Sequence, residues 1–92
     1  MKYVVISRLA PGAENSRTAL EAYLKVGLGE GTESTWAGTD GKTFINVVET
    51  DAPDMTTAAT YAPFFEEVKV IPVVAVDGPW LEAMQAAQSN WG

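Results

Sequence analysis

Histidine and cysteine are both absent from the 92-residue chain. Without imidazole, serine and cysteine nucleophiles lose their usual activating base, and histidine ligation of metals or haem is excluded. Without thiols, neither disulfides nor thiolate–metal sites can form. Any acid–base chemistry would have to use aspartate, glutamate, lysine or tyrosine. We predict no metal site and no cofactor.

Positive charge is also scarce: 6 basic residues against 12 acidic ones leave a net charge of -6. An acidic chain repels phosphate backbones and anionic lipid surfaces, so we predict binding to neither nucleic acid nor membranes. The longest uninterrupted apolar run, residues 70–76, is far too short to span a bilayer. The first residues lack the pattern of a signal peptide, which makes a cytoplasmic location the default expectation.

The length of the chain predicts one domain, residues 1–92, with a thin core. Hydrophobic residues make up 47% of it and charged residues 20%, which is typical of a globular protein. A small chain without disulfides or metal sites commonly gains stability by oligomerisation. We therefore expect more than one copy in the assembly.

The N-terminal part of the chain predicts a strand followed by a helix. Residues 2–9, KYVVISRL, are β-branched and are apolar on both strand faces. A helical spacing of apolar residues follows, with Asn15 or Ser16 as the N-cap. Gly27 and the two further glycines of the next loop predict the end of this helix.

Residues 33–50, ESTWAGTDGKTFINVVET, predict a hairpin around Asp40-Gly41. This dipeptide is typical of a two-residue type I′ turn, in which both central residues have positive φ. The resulting register places Trp36 opposite Ile45, with Val47 on the same face. Phe44 and Asn46 fall on the other face. Because both faces carry apolar residues, each requires a covering layer.

The C-terminal half predicts a short helix, a strand and a last helix. Asp54 is the expected N-cap of the short helix, and Pro63 is expected to end it. Residues 68–76 predict a strand, in which Pro72 indicates a sheet edge or a bulge. Pro79 suits the first position of the last helix.

The resulting order, β-α-β-β-α-β-α, begins with the six elements of the ferredoxin-like motif. We therefore predict an α+β fold, with an antiparallel sheet, two helices on one face and an extra C-terminal helix. The opposite sheet face would be bare and apolar, and a large bare apolar patch usually marks an interface. This favours a homodimer.

The strand KYVVISRL, the hairpin TWAGTDGKTFINVVETD, the short helix after it and the strand VKVIPVVAV resemble the dimeric α+β barrel superfamily. In that superfamily two ferredoxin-like sheets pack face to face. Within it, the chain is similar to the DUF3303-like group of small bacterial proteins. The resemblance implies a range of activities: cofactorless oxygenation of aromatic polyketides, haem degradation, lactone isomerisation or ligand sensing. The haem-degrading branch uses a histidine, which this chain lacks.

Four residues are candidates for binding a small molecule: Arg8, Trp36, Asn46 and Tyr61. Arg8 either faces the barrel interior, where it would bind an anion, or reaches solvent from the strand end, which we favour. Asn46 either binds a carbonyl or enolate, or is a satisfied structural amide or an edge residue, and we favour the structural role. Trp36 and Tyr61 either border a pocket or pack in a core or interface, and packing is favoured.

The last helix carries an apolar stripe of Trp80, Met84, Ala87 and Trp91. Trp80, Met84 and Trp91 are the candidate partner-binding residues, because tryptophan is enriched at binding hot spots. Packing of the stripe on its own sheet is the alternative. The favoured function is a small non-catalytic homodimeric module that binds a protein partner or a small apolar ligand. The alternative is a cofactorless monooxygenase or isomerase acting on a small aromatic substrate in the sheet cavity.

Overall fold

The computed structural model describes residues 1–91, and it has an α+β fold with one four-stranded antiparallel sheet. The strands lie in the order β2-β3-β1-β4. The elements in chain order are β1 (Lys2–Leu9), α1 (Ala13–Val26), β2 (Thr32–Ala37), β3 (Thr43–Glu49), α2 (Met55–Tyr61), a 3₁₀ turn (Ala62–Phe64), β4 (Phe65–Pro72) and α3 (Gly78–Gln88).

Strand alternation divides the sheet into two faces, because successive side chains point to opposite sides. One face, called the cleft face below, carries Tyr3, Val5, Ser7 and Leu9 of β1 and their cross-strand neighbours Phe44, Asn46, Val48, Val68 and Val70. The other face, called the opposite face, carries Val4, Ile6, Ile45, Val47, Trp36 and Ile71. Both faces are apolar at their centres, as the strand sequences predict.

The core is thin. Leu9, Ala19 and Val48 are the buried apolar residues among those described, and Ser7 is the buried polar one. Leu9, Val48 and Ser7 lie on the cleft face, and Ala19 lies on α1. The folded chain therefore buries little apolar surface by itself, and its interior is incompletely filled.

The register of the hairpin is confirmed, but its predicted turn type is wrong. Trp36 lies opposite Ile45, and the Gly38 N–H donates to the Thr43 carbonyl at 2.7 Å. However, Gly41 has a φ of 76°, whereas no residue other than glycine has a positive φ in the described chain. Asp40 therefore does not adopt the conformation that a type I′ turn requires.

The Asp40 carboxylate closes the loop instead. It accepts hydrogen bonds from the backbone N–H of Lys42 and of Thr43, both at 2.9 Å, and from the Thr43 hydroxyl at 2.6 Å. These bonds favour the ionised form and lower the pKa of Asp40 to about 2. The longer loop is centred on the same residues as the predicted turn, and this preserves the strand register.

Helix α1 begins earlier than predicted, so neither Asn15 nor Ser16 is its N-cap. Gly12, with a φ of 114°, precedes the helix and provides no side-chain cap. The Asn15 amide instead donates to the carbonyls of Ala10 and Phe64 at 3.0 and 3.1 Å. Asn15 thus connects the start of α1 to the segment that leads into β4. The predicted end of the helix at Gly27 is confirmed.

Strand β4 is shifted towards the N-terminus relative to the predicted residues 68–76. It begins at Phe65 because Phe65 pairs with Leu9, a long-range contact that local sequence does not reveal. Pro72 ends the strand, which lies at the sheet edge as the proline predicted. Residues 73–76 therefore form the connection to α3 rather than strand.

The short helix α2 and the last helix α3 are capped by aspartates. Asp54 accepts a bond from the Thr57 N–H at 3.1 Å, which confirms the predicted cap. Asp77 accepts one from the Trp80 N–H at 3.1 Å. Pro79 occupies the second rather than the first position of α3. No helix among residues 1–91 is long and apolar enough to cross a membrane.

Helix α3 gives the chain an elongated shape. The described chain measures 52 × 27 × 19 Å and has a radius of gyration of 16.7 Å. A compact chain of this length has a radius of gyration of about 12 Å. In the described chain, α3 packs at most weakly on the sheet and the other helices. The prediction that Trp91 belongs to this helix is wrong, because α3 ends at Gln88.

Candidate functional site

A cleft of about 1000 Å³ lies between the cleft face of the sheet and the helices α1 and α2. Its floor is formed by residues of all four strands. Its wall is formed by Leu20 and Tyr23 of α1 and by Met55, Ala58 and Tyr61 of α2. The lining is predominantly apolar. Because the helices do not close on the sheet, the cleft is open to solvent.

Aromatic side chains are among those that line the cleft. Tyr3 and Phe44 lie on the sheet, and Phe65 lies at the start of β4. The Phe44 and Phe65 rings are 6.4 Å apart and meet edge to face, which is a favoured arrangement of aromatic rings. A flat apolar molecule would therefore find aromatic surface on the floor of the cleft.

Tyr61 joins the two helices at the cleft wall. Its hydroxyl donates to the Gly27 carbonyl at 2.6 Å, which ties α2 to the C-terminal end of α1. Partial burial, and to a smaller extent the neighbouring Tyr23, raise the pKa of Tyr61. Tyr61 therefore remains a neutral phenol at physiological pH.

Asn46 places a polar side chain on the apolar floor of the cleft. It lies between Val5 of β1 and Thr35 of β2 in the sheet. Its side-chain oxygen is buried and has no hydrogen-bond partner. This contradicts the expectation of a satisfied structural amide. Leaving such an acceptor unpaired costs about 1–3 kcal/mol.

Asp54 brings a carboxylate to the edge of the cleft near the loop after α1. It accepts hydrogen bonds from the N–H of Thr57 and from the Thr57 hydroxyl, the latter at 2.8 Å. These two bonds lower the pKa of Asp54, so the carboxylate is ionised at neutral pH. Within residues 1–91, no three acidic residues converge as metal ligands would.

Arg8 lies outside the cleft, on the opposite face of the sheet. Its guanidinium forms ion pairs with Glu66 at 2.8 Å and with Glu67 at 3.0 Å. The β1–β4 register shifts after Arg8, and this irregularity allows both consecutive glutamates to reach the same arginine. The hydrogen bond from Lys69, and then the charges of Lys69 and Arg8, lower the pKa of Glu67. Arg8 thus reaches solvent and is already paired.

Trp36 also lies on the opposite face and is 65% exposed. Its indole N–H donates to the Ser34 hydroxyl at 3.3 Å. The four candidate ligand residues are therefore divided between the two faces: Asn46 and Tyr61 line the cleft, whereas Arg8 and Trp36 do not. Arg8 and Val5 lie on the same strand, but side chains alternate along a strand, so Val5 lines the cleft and Arg8 points to the other side of the sheet.

The three candidate partner-binding residues lie at the C-terminal end of the described chain. Trp80 and Met84 are half-buried on α3. Trp91 follows the helix and is 68% exposed. None of the three lines the cleft. The sequence did not single out Leu20 or Ala58 for the cleft, although the helical spacing of apolar residues contains both. Phe65 was expected before the strand rather than in it, and it became part of the cleft floor through its pairing with Leu9.

The family described as "Domain of unknown function (DUF3303)" matches residues 1–89. The chain belongs to the DUF3303 family. No curated protein matches this DUF3303 chain. Six chains of solved structures match it. One of them, described as "Crystal structure of PH0061", aligns with a TM-score of 0.47 and 12% identity, over 84% of this chain and 54% of that one. The DUF3303 chain thus spans about half the length of that solved chain.

Proposed function

We propose that this DUF3303 protein is a non-catalytic module that binds a small apolar ligand in the cleft between the sheet and the helices. The observation that carries the proposal is the open cleft of about 1000 Å³ with its predominantly apolar lining. Ligand sites are typically apolar, of about 300–1000 Å³, with a few polar groups for orientation. The thin core supports the same conclusion, because a ligand would cover apolar surface that the chain leaves exposed.

Two adjacent alanines of α2 provide a matched test of this site. Ala58 lines the cleft, whereas its neighbour Ala59 does not and is exposed. The neutral dye N-phenyl-1-naphthylamine reports apolar binding through its fluorescence. We expect Ala58→Trp to obstruct the cleft and weaken dye binding, while Ala59→Trp binds like the parent chain. Equal binding by both variants, or no binding by the parent chain, would contradict the proposed site.

We propose that the order of elements and strands is that of a ferredoxin-like fold, and that two copies pair through the opposite face as a dimeric α+β barrel. The face has an apolar centre that includes Val4, Ile6 and Trp36. Charged groups flank this apolar centre. Lys2 is paired with Glu33 at one end, and Arg8 is paired with Glu66 at the other. An apolar centre with a polar rim is typical of protein interfaces.

Sedimentation velocity tests this assembly. We expect the parent chain to sediment as a dimer and Trp36→Glu to sediment as a folded monomer, because a charge would be buried in the interface. Leu24→Glu is the matched control, since Leu24 is 75% exposed on α1, away from both sheet faces. A monomeric parent chain, or a Trp36→Glu variant that remains dimeric, would refute pairing through this face.

Helix α3 is proposed to complete the same dimer through Trp80, Met84 and Trp91. Its weak packing on its own chain supports this proposal. A chain ending at Val76 should therefore form a weaker dimer, with a dissociation constant raised at least tenfold. An unchanged dissociation constant would leave α3 without a role in the dimer.

A cofactorless monooxygenase or isomerase acting on a small aromatic molecule is the second candidate function. The unpartnered oxygen of Asn46 favours it, because rotation of this amide on the floor of an aromatic cleft would bring an unsatisfied acceptor to a substrate hydroxyl. Oxygen uptake with 1,4-dihydroxynaphthalene distinguishes the two functions. Uptake above the rate without protein, lost in Asn46→Val, would favour the enzyme. Uptake at the rate without protein would favour the binding module over the monooxygenase, and an isomerase would be detected instead by conversion of the aromatic molecule without oxygen uptake.

A further inference from the structure

The charged side chains that line the cleft are all of one sign. Glu30 and Asp54 contribute carboxylates, and no lysine or arginine lines the cleft within residues 1–91. Asp54 is held in its ionised form by the hydrogen bonds from Thr57. Glu30 is exposed to solvent at the loop between α1 and β2. An anion entering the cleft would therefore meet two like charges and no cationic side chain.

Strand alternation places the cations of the sheet on the other side. Lys2 and Arg8 lie at even positions of β1, and Lys69 pairs with Ile6, so all three project from the opposite face. Each is also paired with glutamate: Lys2 with Glu33, and Arg8 and Lys69 with Glu67. These cations cannot turn into the cleft without crossing the sheet.

Among the residues that line the cleft within residues 1–91, Met1 is the one that carries a positive charge, on its α-amino group. It donates to the carboxylates of Asp51 and Glu49 at 2.9 and 3.1 Å. These two bonds raise the pKa of the amine, so it remains charged and engaged with them. Two carboxylates outweigh one ammonium, and the local charge at this end of the cleft stays negative.

We propose that the cleft selects uncharged apolar molecules and discriminates against their anionic analogues. The inference rests on the proposed function and specifies the ligand class of the same site. An anionic group in the cleft would lose hydration without gaining a cationic partner, which is costly in an apolar site. It would also be repelled by the carboxylates of Glu30 and Asp54. An uncharged aromatic molecule would bear neither cost.

Two dyes with the same carbon skeleton test the selection. N-phenyl-1-naphthylamine is uncharged, and 8-anilino-1-naphthalenesulfonate adds one sulfonate to it. Fluorescence titration of each dye gives its dissociation constant, and only the binding that Ala58→Trp removes is assigned to the cleft. We expect the uncharged dye to bind at least tenfold more tightly, which corresponds to about 1.4 kcal/mol. Added salt should reduce the difference in affinity between the two dyes, because it screens the repulsion between the sulfonate and the carboxylates of the cleft.

Glu30→Gln and Glu33→Gln form a matched pair that isolates the charge effect. Glu30 lines the cleft, whereas Glu33 is paired with Lys2 on the opposite face. Each variant removes one negative charge from the same short segment. We expect Glu30→Gln to tighten sulfonate binding severalfold and to leave the uncharged dye unaffected. Glu33→Gln should change neither dissociation constant.

The outcomes separate this inference from the proposed function. If the uncharged dye does not bind in the cleft, the proposed function fails and the inference fails with it. If both dyes bind in the cleft with equal affinity, the cleft is a binding site but the selection against anions is refuted. An affinity ratio that is the same in the parent chain, Glu30→Gln and Glu33→Gln would also overturn the electrostatic explanation.

Discussion

Replacing Leu9 by alanine tests whether the thin core on the cleft face holds the fold together. Leu9 is 8% exposed and pairs with Phe65 across β1 and β4. The substitution removes about three methylene equivalents, or roughly 2.4 kcal/mol at 0.8 kcal/mol each. Leu→Ala substitutions in filled cores lower the free energy of unfolding by about 2–5 kcal/mol, and the largest losses occur where the substitution leaves an empty cavity. Leu9 borders an open cleft that water can enter, so we expect a loss of about 2–3 kcal/mol.

Leu24→Ala is the matched control, because it removes the same atoms from a side chain that is 75% exposed on α1. We expect it to change stability by less than about 0.5 kcal/mol. Urea denaturation followed by circular dichroism, at two protein concentrations, measures both variants and reveals any contribution from dimerisation. For Leu9→Ala the loss corresponds to a melting temperature lower by about 10–20 °C. Equal losses for the two leucines would refute the placement of the core.

Three further predictions concern polar groups. The pKa of Asp40 is about 2 in the folded chain, against an ordinary value of 3.8. The ionised carboxylate therefore contributes its full stabilisation above pH 3.8, and this stabilisation disappears as the pH falls through about 2. The difference in free energy of unfolding between the parent chain and Asp40→Asn, measured by urea denaturation, should therefore shrink as the pH falls between these two pKa values. A difference that does not change with pH would contradict this. Tyr61→Phe removes the bond to Gly27 and should lower the free energy of unfolding by about 1 kcal/mol, whereas unchanged stability would show that the bond contributes nothing. Asn46→Val removes an unpaired buried acceptor and should leave thermal stability equal or raised by about 1 kcal/mol, whereas a loss would mean that the oxygen has a partner in solution.

The hairpin shows how far local sequence carries the prediction. The Asp40-Gly41 dipeptide, taken as the centre of the loop, was sufficient to place Trp36 opposite Ile45. The turn type was not predictable in the same way, because it depends on the Asp40 carboxylate reaching the N–H groups of Lys42 and Thr43. The same strand register is compatible with a two-residue type I′ turn and with the longer loop, because both are centred on the same residues. The predicted register is therefore confirmed, although the predicted turn type is wrong.

The boundaries of β4 and α1 show where local patterns are insufficient. Phe65 and Glu67 belong to a strand because they pair with Leu9 and Arg8, almost 60 residues earlier in the chain. Likewise, Asn15 donates to Phe64 rather than capping its own helix. Both outcomes depend on contacts that exist only once the sheet and the helices have come together.

The candidate site, too, was only partly predictable from the sequence. Strand parity and the hairpin register determined that Asn46 shares a face with Phe44 and that Trp36 lies on the other face, because side chains alternate along a strand. The face of Arg8 relative to Asn46 depended on the pairing of β1 with β3, which only the tertiary structure decided. Only the tertiary structure decided which face the two helices approach, and how far from it they remain. That distance leaves the cleft beside Asn46 and Tyr61. The packing of a helix layer on a sheet depends on the fit of distant side chains, which no local pattern encodes.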